Sequence, residues 1–219
     1  FSQFEEENET SNGPSDKKNI TLVNHQYHLM DSEEKIIKLT DLLGKNSFFT
    51  FDTETTGLNP HLAELVGIAF SLNPGEAYYV PFPESFKEAK KRSSAFKPLF
   101  ENPNIEKIGQ NIKYDIAVLR KYDISVKGKL FDTMIAHYLL RPDMRHNMNI
   151  LSETYLDYAP IPIDTLIGKK GKGQKSIREA PLEQVCEYAC EDADITLQLK
   201  DAFGPMLKKE GLLSLFNNI

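Results

Sequence analysis

The sequence predicts an α/β fold in which helices flank a mixed sheet, with three antiparallel strands followed by β-α-β-α units. Three β-rich runs, at 47–54, 65–71 and 77–82, follow one another over short links, and this favours antiparallel pairing. From about residue 93 onward, helical and β-rich segments alternate, which is typical of parallel strands joined by crossover helices. The hydrophobic fraction of 40% is ordinary for a globular protein.

The predicted elements before this core are a linker, a strand and a helix. Residues 1–19 are polar and acidic and contain a Gly-Pro pair, so we expect a flexible tail or linker. The run 20–30 predicts a first strand. An Asp-Ser pair then signals the start of a helix over about 33–43, and a glycine follows its predicted end.

The later elements follow from hydrophobic periodicity. The sequence predicts strands at 105–110 and 127–131 and helices at 93–101, 111–122, 132–141, 149–157 and 181–203. Residues 20–203 are therefore predicted to form one domain. The amphipathic segment 204–219 is predicted to be the truncated start of a following domain.

Composition limits the classes of function. No apolar run approaches the roughly 18 residues of a membrane span, so no membrane partner is expected. The two cysteines, Cys186 and Cys190, lie one helical turn apart, and this favours packed thiols in a reducing compartment over a disulfide framework. The net charge of −6 is opposite to that of most proteins that grip duplex DNA, so any binding of nucleic acid needs local basic patches, metal ions or another domain.

The first acidic motif lies in the β-rich run 47–54. Alternate residues of a strand share a face, so Asp52 and Glu54 point the same way while Thr53 points to the opposite side. Taken alone, an acidic pair at a strand end more often faces water or caps a turn than binds a ligand.

The second motif lies in the predicted helix 111–122. At about 100° per residue, Asn111 and Asp115 fall on its apolar face. A carboxylate on a buried helix face is costly unless it is paired or bound to a metal ion. A salt bridge to a distant Arg or Lys stays open as the alternative.

The third motif lies in the predicted helix 181–203, which carries three acids close together. The helical wheel places Asp192 on the apolar face, and it predicts that Glu191 and Asp194 face outward and tolerate substitution. Tyr188 precedes Asp192 by one turn, so its hydroxyl is expected beside that carboxylate. A core tyrosine with its hydroxyl at the rim is the alternative interpretation.

The coincidence of the three motifs is more informative than any one of them. Asp52, Glu54, Asp115 and Asp192 are acids on faces that should be apolar, and four converging carboxylates repel one another unless cations hold them. Oxygen ligands without His or Cys suit hard cations such as Mg²⁺ or Mn²⁺. The sequence therefore predicts a two-metal site that cleaves phosphodiesters.

The motifs DTE (52–54), NIKYD (111–115) and YACED (188–192) closely resemble those of the 3′–5′ exonuclease domain of family A DNA polymerases, the bacterial DNA polymerase I type. This family belongs to the DEDD exonuclease superfamily. A Tyr four residues before the last Asp is typical of the DEDDy type, whereas the DEDDh type has His where this chain has Glu187. The resemblance covers roughly residues 20–203.

The resemblance implies a ribonuclease H-like fold and a proofreading function in the bacterial cytoplasm, associated with the nucleoid. The implied partners are the single-stranded 3′ end of DNA and a polymerase domain in the same chain. The implied reaction releases nucleoside 5′-monophosphates with two divalent cations. By similarity, Asp52 bridges both ions, Glu54 and Asp192 hold the ion that activates water, Asp115 serves the other, and Tyr188 orients the nucleophile.

The resemblance also implies contacts with the strand. Leu58 matches the position of an apolar wedge against the terminal bases, with a loop residue that covers the sheet edge as the alternative. Gln110 and Asn111 are expected to position the strand or ordered waters. Ile163 stands where the family often has a stacking aromatic side chain, so that contact is in doubt here.

Basic residues supply candidate phosphate contacts. Gly-rich spacing around 168–178 predicts a mobile basic loop, with a merely solvated loop as the alternative. Arg145 lies before the predicted helix 149–157. The candidates in the basic loop are Lys169, Lys170 and Lys172, together with Lys175 and Arg178.

Two other functions remain as alternatives. One is a stand-alone exoribonuclease of the ribonuclease D type, which shares the tyrosine-based motif. The other is a catalytically silent domain that serves as a platform for a polymerase, and the complete set of acids argues against it. A comparison of single-stranded DNA with RNA as substrate separates the first alternative from the DNA exonuclease.

Overall fold

The computed structural model describes residues 17–171 and 173–219. Its centre is a six-stranded mixed sheet with the strand order β1-β4-β3-β2-β5-β6. β2, β3 and β4 pair antiparallel, whereas β1 pairs parallel with β4, and β5 and β6 continue parallel from β2. The strands are β1 (Gln26–Leu29), β2 (Phe48–Thr55), β3 (Leu65–Asn73), β4 (Glu76–Pro81), β5 (Glu106–Gly109) and β6 (Leu130–Asp132). The predicted mixed α/β architecture is confirmed.

Helices cover both faces of the sheet. They are α1 (Glu33–Gly44), α2 (Phe86–Ser93), α3 (Lys97–Phe100), α4 (Lys113–Lys121), α5 (Thr133–Leu140), α6 (Met148–Tyr155), α7 (Asp164–Ile167), α8 (Leu182–Lys209) and α9 (Leu213–Phe216). In the described part of the chain, no helix is both long and apolar enough to cross a membrane.

The alternation of side chains along β2 separates two layers. Phe49 and Phe51 are fully buried in one hydrophobic cluster with Val118 and Leu119 of α4. Asp52 and Glu54 therefore point to the opposite face. That face is covered by α8, whose Ala189 and Ala193 pack against β3 and β4. The strand thus presents its acids to the long helix.

Several predicted boundaries shift. The first strand is only four residues long, at the sheet edge. Instead of one helix over 93–101, α2 and α3 follow each other, and α2 begins at Phe86. The predicted helix 111–122 begins only at Lys113, because Asn111 has a left-handed φ of 56° that a helix does not contain.

The end of α8 is the largest difference. The sequence predicts an end at residue 203, and Pro205 lies two residues further on, where a proline removes a backbone hydrogen bond from a helix. The helix continues through Pro205 to Lys209 because Phe203 and Leu207 are fully buried in the core. In α9, Phe216 packs against Phe131 with ring centroids 4.8 Å apart, so the segment 204–219 lies on the same core.

The amino-terminal segment is described only from Lys17. The predicted linker over residues 1–19 therefore lies mostly outside the described residues. Its last part is held in place, since the Lys18 N–H donates to the carbonyl of Asp157 at 3.1 Å and Lys18 O accepts from the N–H of Ala159 at 2.8 Å.

Candidate metal-binding active site

Three of the four predicted acids meet between β2 and α8. Asp52, Glu54 and Asp192 each place one carboxylate oxygen within 4.8 Å of the others. Glu54 is 8% exposed, and Asp52 and Asp192 are half-buried. The acids come from a strand and a helix that are far apart in sequence, as the two motifs predict.

The fourth acid reaches the site from the other side of the sheet. Asp115 lies in the first turn of α4 and is 3% exposed. Its carboxylate accepts the backbone N–H of Thr53 at 3.0 Å and the Thr53 hydroxyl at 2.5 Å. Because Thr53 lies between Asp52 and Glu54, this contact brings Asp115 close enough to repel both of them.

The electrostatics of these acids are those of a cation site. Burial raises the pKa of Asp52 from its usual 3.8 to about 6. Burial, followed by repulsion from Asp52, raises the pKa values of Glu54, Asp115 and Asp192 well above their usual range. In the described part of the chain, no Lys or Arg forms an ion pair with any of the four. Clustered oxygen donors without a protein counter-ion fit hard divalent cations.

Tyr188 lies beside this cluster. It precedes Asp192 by one turn of α8, so its hydroxyl lies on the same side of the helix as the Asp192 carboxylate. Burial, and then the nearby charge of Asp192, raises the pKa of Tyr188 above its usual value of 10. The phenol therefore stays protonated at neutral pH and acts as a hydrogen-bond donor.

The prediction that Glu191 and Asp194 face outward is wrong. Glu191 is fully buried and Asp194 is 4% exposed. The helical wheel assumed a helix with one wet face, whereas α8 is covered by the sheet on one side and by α5 and α6 on another. Both acids find neutral donors, which a wheel does not reveal.

Sequence reasoning also missed Asp132 at the end of β6. It caps α5, where its carboxylate accepts from the N–H groups of Met134 at 2.9 Å and Ile135 at 3.3 Å. The same carboxylate accepts from Asn111 N at 3.0 Å and Ile112 N at 2.9 Å, just before α4. An Asp between a β-rich run and a helix is a capping signal, so the first role was predictable and the second was not.

A model of the 3′–5′ exonuclease family of the DNA polymerase A type matches residues 27–208. The chain belongs to this family. DNA polymerase I of Pseudomonas aeruginosa is 37% identical over 175 residues, which cover 76% of this chain and 19% of that protein. The chain spans about a fifth of the length of the curated relatives it matches.

Solved structures share the fold of this 3′–5′ exonuclease family member. NrnC of Brucella melitensis superposes with a TM-score of 0.70 at 23% identity, covering 90% of this chain and 88% of that one. One of its structures contains bound Mg²⁺. RNase D of Escherichia coli, an exoribonuclease involved in structured RNA processing, gives a TM-score of 0.66 at 17% identity, covering 90% of this chain and 48% of that one. The predicted ribonuclease H-like fold is confirmed.

The loop after β2 exposes the candidate wedge of this exonuclease domain. Leu58 is 94% exposed. The base of its loop is held by Tyr114, whose hydroxyl donates to the carbonyl of Gly57 at 2.5 Å and lies 2.6 Å from the Thr55 hydroxyl. A helix that carries one acid therefore also fixes the loop that carries Leu58.

The amide side chain of Gln110 is engaged inside the exonuclease domain. Its Nε2 donates to the carbonyl of His146 at 2.8 Å, and its Oε1 accepts from the Thr133 hydroxyl. Gln110 therefore anchors the segment that carries Arg145. Asn111 is half-buried, and Arg145 is exposed.

The basic loop divides into two parts. Lys169 and Lys170 are exposed, while Lys172 lies outside the described residues. Arg178 does not belong to the loop surface as predicted, because its guanidinium donates to the carbonyls of Phe82 at 3.0 Å and Leu65 at 2.9 Å. The inward position of Arg178 follows from these two carbonyl acceptors.

Proposed function

We propose that this chain is a proofreading exonuclease domain that hydrolyses the 3′-terminal phosphodiester of single-stranded or frayed DNA. The products are nucleoside 5′-monophosphates. One observation carries the proposal: four acids and a tyrosine from β2, α4 and α8 converge at one end of β2 without a basic partner among the described residues.

The acids suit two divalent cations, Mg²⁺ or Mn²⁺. Asp52 lies centrally and is the acid that both cations would share. Glu54 and Asp192, within 4.8 Å of Asp52, would complete one site, and Asp115 would serve the other. Bound cations supply Lewis-acid stabilisation of the phosphate charge and lower the pKa of a water molecule. The Mg²⁺ in a structure of the similar NrnC fold supports this assignment.

Tyr188 has a positioning role in this proposal. Its pKa is raised by burial and by Asp192, so it holds its proton at neutral pH. A protonated phenol does not act as a general base. Tyr188 instead donates a hydrogen bond that orients the attacking water beside the acids.

The strand reaches the acids past the loop after β2. Leu58 packs against the terminal bases, and a mispaired end frays at a lower energetic cost than a paired one. In this proposal, Asn111, Gln110 and Arg145 position the strand. Lys169, Lys170 and Lys172 contact phosphates from the basic loop.

Binding of duplex DNA requires a part of the protein outside this domain. A chain with a net charge of −6 does not hold duplex DNA by its own charge. We propose that a polymerase domain belongs to the same chain, as in relatives about four times as long as this one. The setting is the bacterial cytoplasm and its nucleoid.

A ribonuclease D-like activity on RNA is the second candidate, favoured by the similar fold of RNase D. The 37% identity with a DNA polymerase I favours DNA. A catalytically silent domain is disfavoured, because all four acids and Tyr188 are present and close together.

The test is digestion of a 5′-labelled single-stranded DNA and of an RNA of the same sequence, with Mg²⁺ or Mn²⁺. We expect DNA to shorten from its 3′ end with release of nucleoside 5′-monophosphates. Asp52→Ala and chelation by EDTA should each stop the reaction. Faster digestion of RNA would favour the second candidate, and digestion in EDTA would reject the metal-dependent mechanism.

A further inference from the structure

Glu191 is a buried acid that neighbours Asp192 but takes no part in the acid cluster. Its side chain is fully buried, and its two oxygens have separate partners. Oε1 accepts the hydroxyl of Tyr158 at 2.5 Å, and Oε2 accepts the backbone N–H of Ile161 at 2.7 Å. One side chain of α8 thus holds the segment between α6 and α7.

Hydrogen bonds rather than charge pairing keep Glu191 in place. In the described part of the chain, no Lys, Arg or His forms an ion pair with it, and its charged neighbours are the acids Glu187, Asp192 and Asp194. A buried carboxyl group that is surrounded by other acids is stable only where hydrogen-bond donors reach its oxygens. The two donors on the Tyr158–Ile161 segment do so.

The segment held by Glu191 leads directly to the candidate strand-binding elements. Two residues after Ile161, Ile163 caps the start of α7. Ile163, Leu166 and Ile167 pack against the same hydrophobic cluster as Tyr188. The helix ends at Ile167 and is capped by Gly168, which has a left-handed φ of 79°. The exposed Lys169 and Lys170 follow at once.

A backbone hydrogen bond makes the basic loop depend on α7. The N–H of Lys175 donates to the carbonyl of Ile167 at 2.9 Å, which ties Lys175, on the far side of the basic loop, to the last residue of the helix. A shift of α7 therefore moves both ends of the loop. The segment Tyr158–Ile161 leads into α7, and the hydrogen bonds from this segment to Glu191 fix it to α8.

We propose that Glu191 is a positioning residue that fixes the segment 158–170 and thereby controls binding of the strand rather than the chemical step. The proposal rests on the proposed function. It links the hydrogen bonds of one buried side chain to the affinity for single-stranded DNA.

Asp194 is the matched control on the same helix. It is also nearly fully buried, and its carboxylate accepts from three neutral donors: Tyr27 Oη, Gly75 N and Gln198 Nε2, each at 2.9 Å. These contacts hold β1 and the β3–β4 turn and do not involve α7. Loss of Asp194 therefore removes comparable stabilisation without releasing the strand-binding segment.

The experiment compares Glu191→Ala, Glu191→Gln and Asp194→Ala with the wild type, at a temperature where circular dichroism shows all four folded. Rates are measured on labelled single-stranded oligothymidylate with Mn²⁺, and amide hydrogen exchange is followed in parallel. We expect Glu191→Ala to raise KM about tenfold with kcat within about twofold, since a lost buried hydrogen-bond pair is of that order.

The conservative variant separates hydrogen bonding from charge. A glutamine accepts from Ile161 N with Oε1 and donates from Nε2 to the Tyr158 hydroxyl oxygen, so Glu191→Gln should keep KM near the wild-type value. In Glu191→Ala, the amides of Leu166, Ile167 and Gly168, which donate within α7, should exchange faster. In Asp194→Ala they should not.

Three results would overturn the proposal: a fall in kcat with unchanged KM in Glu191→Ala, an equal rise of KM in Asp194→Ala, or unchanged exchange in α7. An oligonucleotide that the wild type neither cuts nor binds would refute the proposed function instead. Amide hydrogen exchange does not depend on enzymatic activity. It therefore tests whether Glu191 holds α7 in place even if the protein does not digest DNA.

Discussion

The backbone N–H of Thr53 donates a hydrogen bond of 3.0 Å to the carboxylate of Asp115. Thr53 is the residue between Asp52 and Glu54, and it faces the side of the sheet that α4 covers. One strand therefore presents two acids to α8 and tethers a third from the opposite layer. The intervening residue of the first motif is a structural part of the site.

Thr53→Val should impair the site without unfolding the protein. The substitution keeps the shape but removes the hydroxyl donor, whose hydrogen bond lowers the pKa of Asp115 against the larger effect of burial. Asp115 should then stay protonated to higher pH. We expect kcat to fall roughly tenfold and the rising limb of the pH–rate profile to move to higher pH. An unchanged profile would show that the hydroxyl does not act on Asp115.

The metal-free protein should lose stability as the pH rises. Burial raises the pKa of Asp52 from 3.8 to about 6 in the folded state, so the folded protein binds more protons than the unfolded chain between these values. The associated stability is complete below pH 3.8 and is lost as the pH passes about 6. The two-unit difference corresponds to at most about 3 kcal/mol.

Thermal unfolding in EDTA between pH 5 and 8 measures this effect. The Tm should decline over this range, and Mn²⁺ should reverse the decline, because a bound cation offsets the repulsion. Asp52→Asn, which cannot ionise, should show a flatter profile and a smaller response to Mn²⁺. A wild-type Tm that is constant in EDTA would contradict the electrostatic account.

Asp194→Ala and Asp192→Asn should have opposite effects on stability. Asp194→Ala leaves Tyr27, Gly75 and Gln198 with unpaired, partly buried donors, so the free energy of unfolding should fall by roughly 3 kcal/mol. Asp192→Asn removes one repelling charge and should keep or raise the stability of the metal-free protein while abolishing activity. Urea unfolding in EDTA gives both values; equal losses would mean that the two acids have the same structural role.

Leu58→Ala should affect substrate preference rather than stability. The side chain is 94% exposed, so its removal costs little in folding free energy. We expect a fall of about tenfold in the rate on duplex DNA with a mispaired 3′ end, and a smaller fall on single strands. Tyr114→Phe, which frees the carbonyl of Gly57, should reproduce part of this effect. Equal losses on both substrates would argue against a wedge.

Asp132→Ala should disturb two helices at once. The variant loses the cap of α5 and the two N–H contacts at Asn111 and Ile112 that precede Asp115. We expect a loss of roughly 2 kcal/mol in stability and an increase in the Mn²⁺ concentration needed for half-maximal activity. Activity at saturating Mn²⁺ should largely recover; a metal requirement equal to that of the wild type would limit Asp132 to capping.

The sequence was most informative where an acidic residue fell on a face that the periodicity predicts to be apolar. Acids on otherwise apolar faces identified Asp52, Asp115 and Asp192 because burial of a charge needs a compensating partner wherever it occurs. The three closely spaced β-rich runs and the alternation of helices and strands after them predicted the mixed sheet, because both patterns depend on short-range periodicity.

Sequence reasoning failed where the environment of a residue came from distant segments. The helical wheel placed Glu191 and Asp194 in solvent because it treats a helix as having one buried side. Tyr158 and Ile161 cover the first of them, and Tyr27 and Gly75 the second. Arg178 was assigned to a surface loop, yet the backbone carbonyls of two separate segments draw it inward.

The resemblance of three motifs indicated the family. Periodicity and residue type were enough to predict the sheet and the acids that converge, because these depend on local geometry and on the high cost of burying charge. Only the folded chain shows that Asp115 lies across the sheet from its partners. It also shows that Glu191 and Asp194 of α8 accept hydrogen bonds from distant segments, and that Asp132 accepts hydrogen bonds at the starts of both α4 and α5. Each of these depends on a hydrogen bond between segments that are remote in sequence, and no local pattern encodes such a partner.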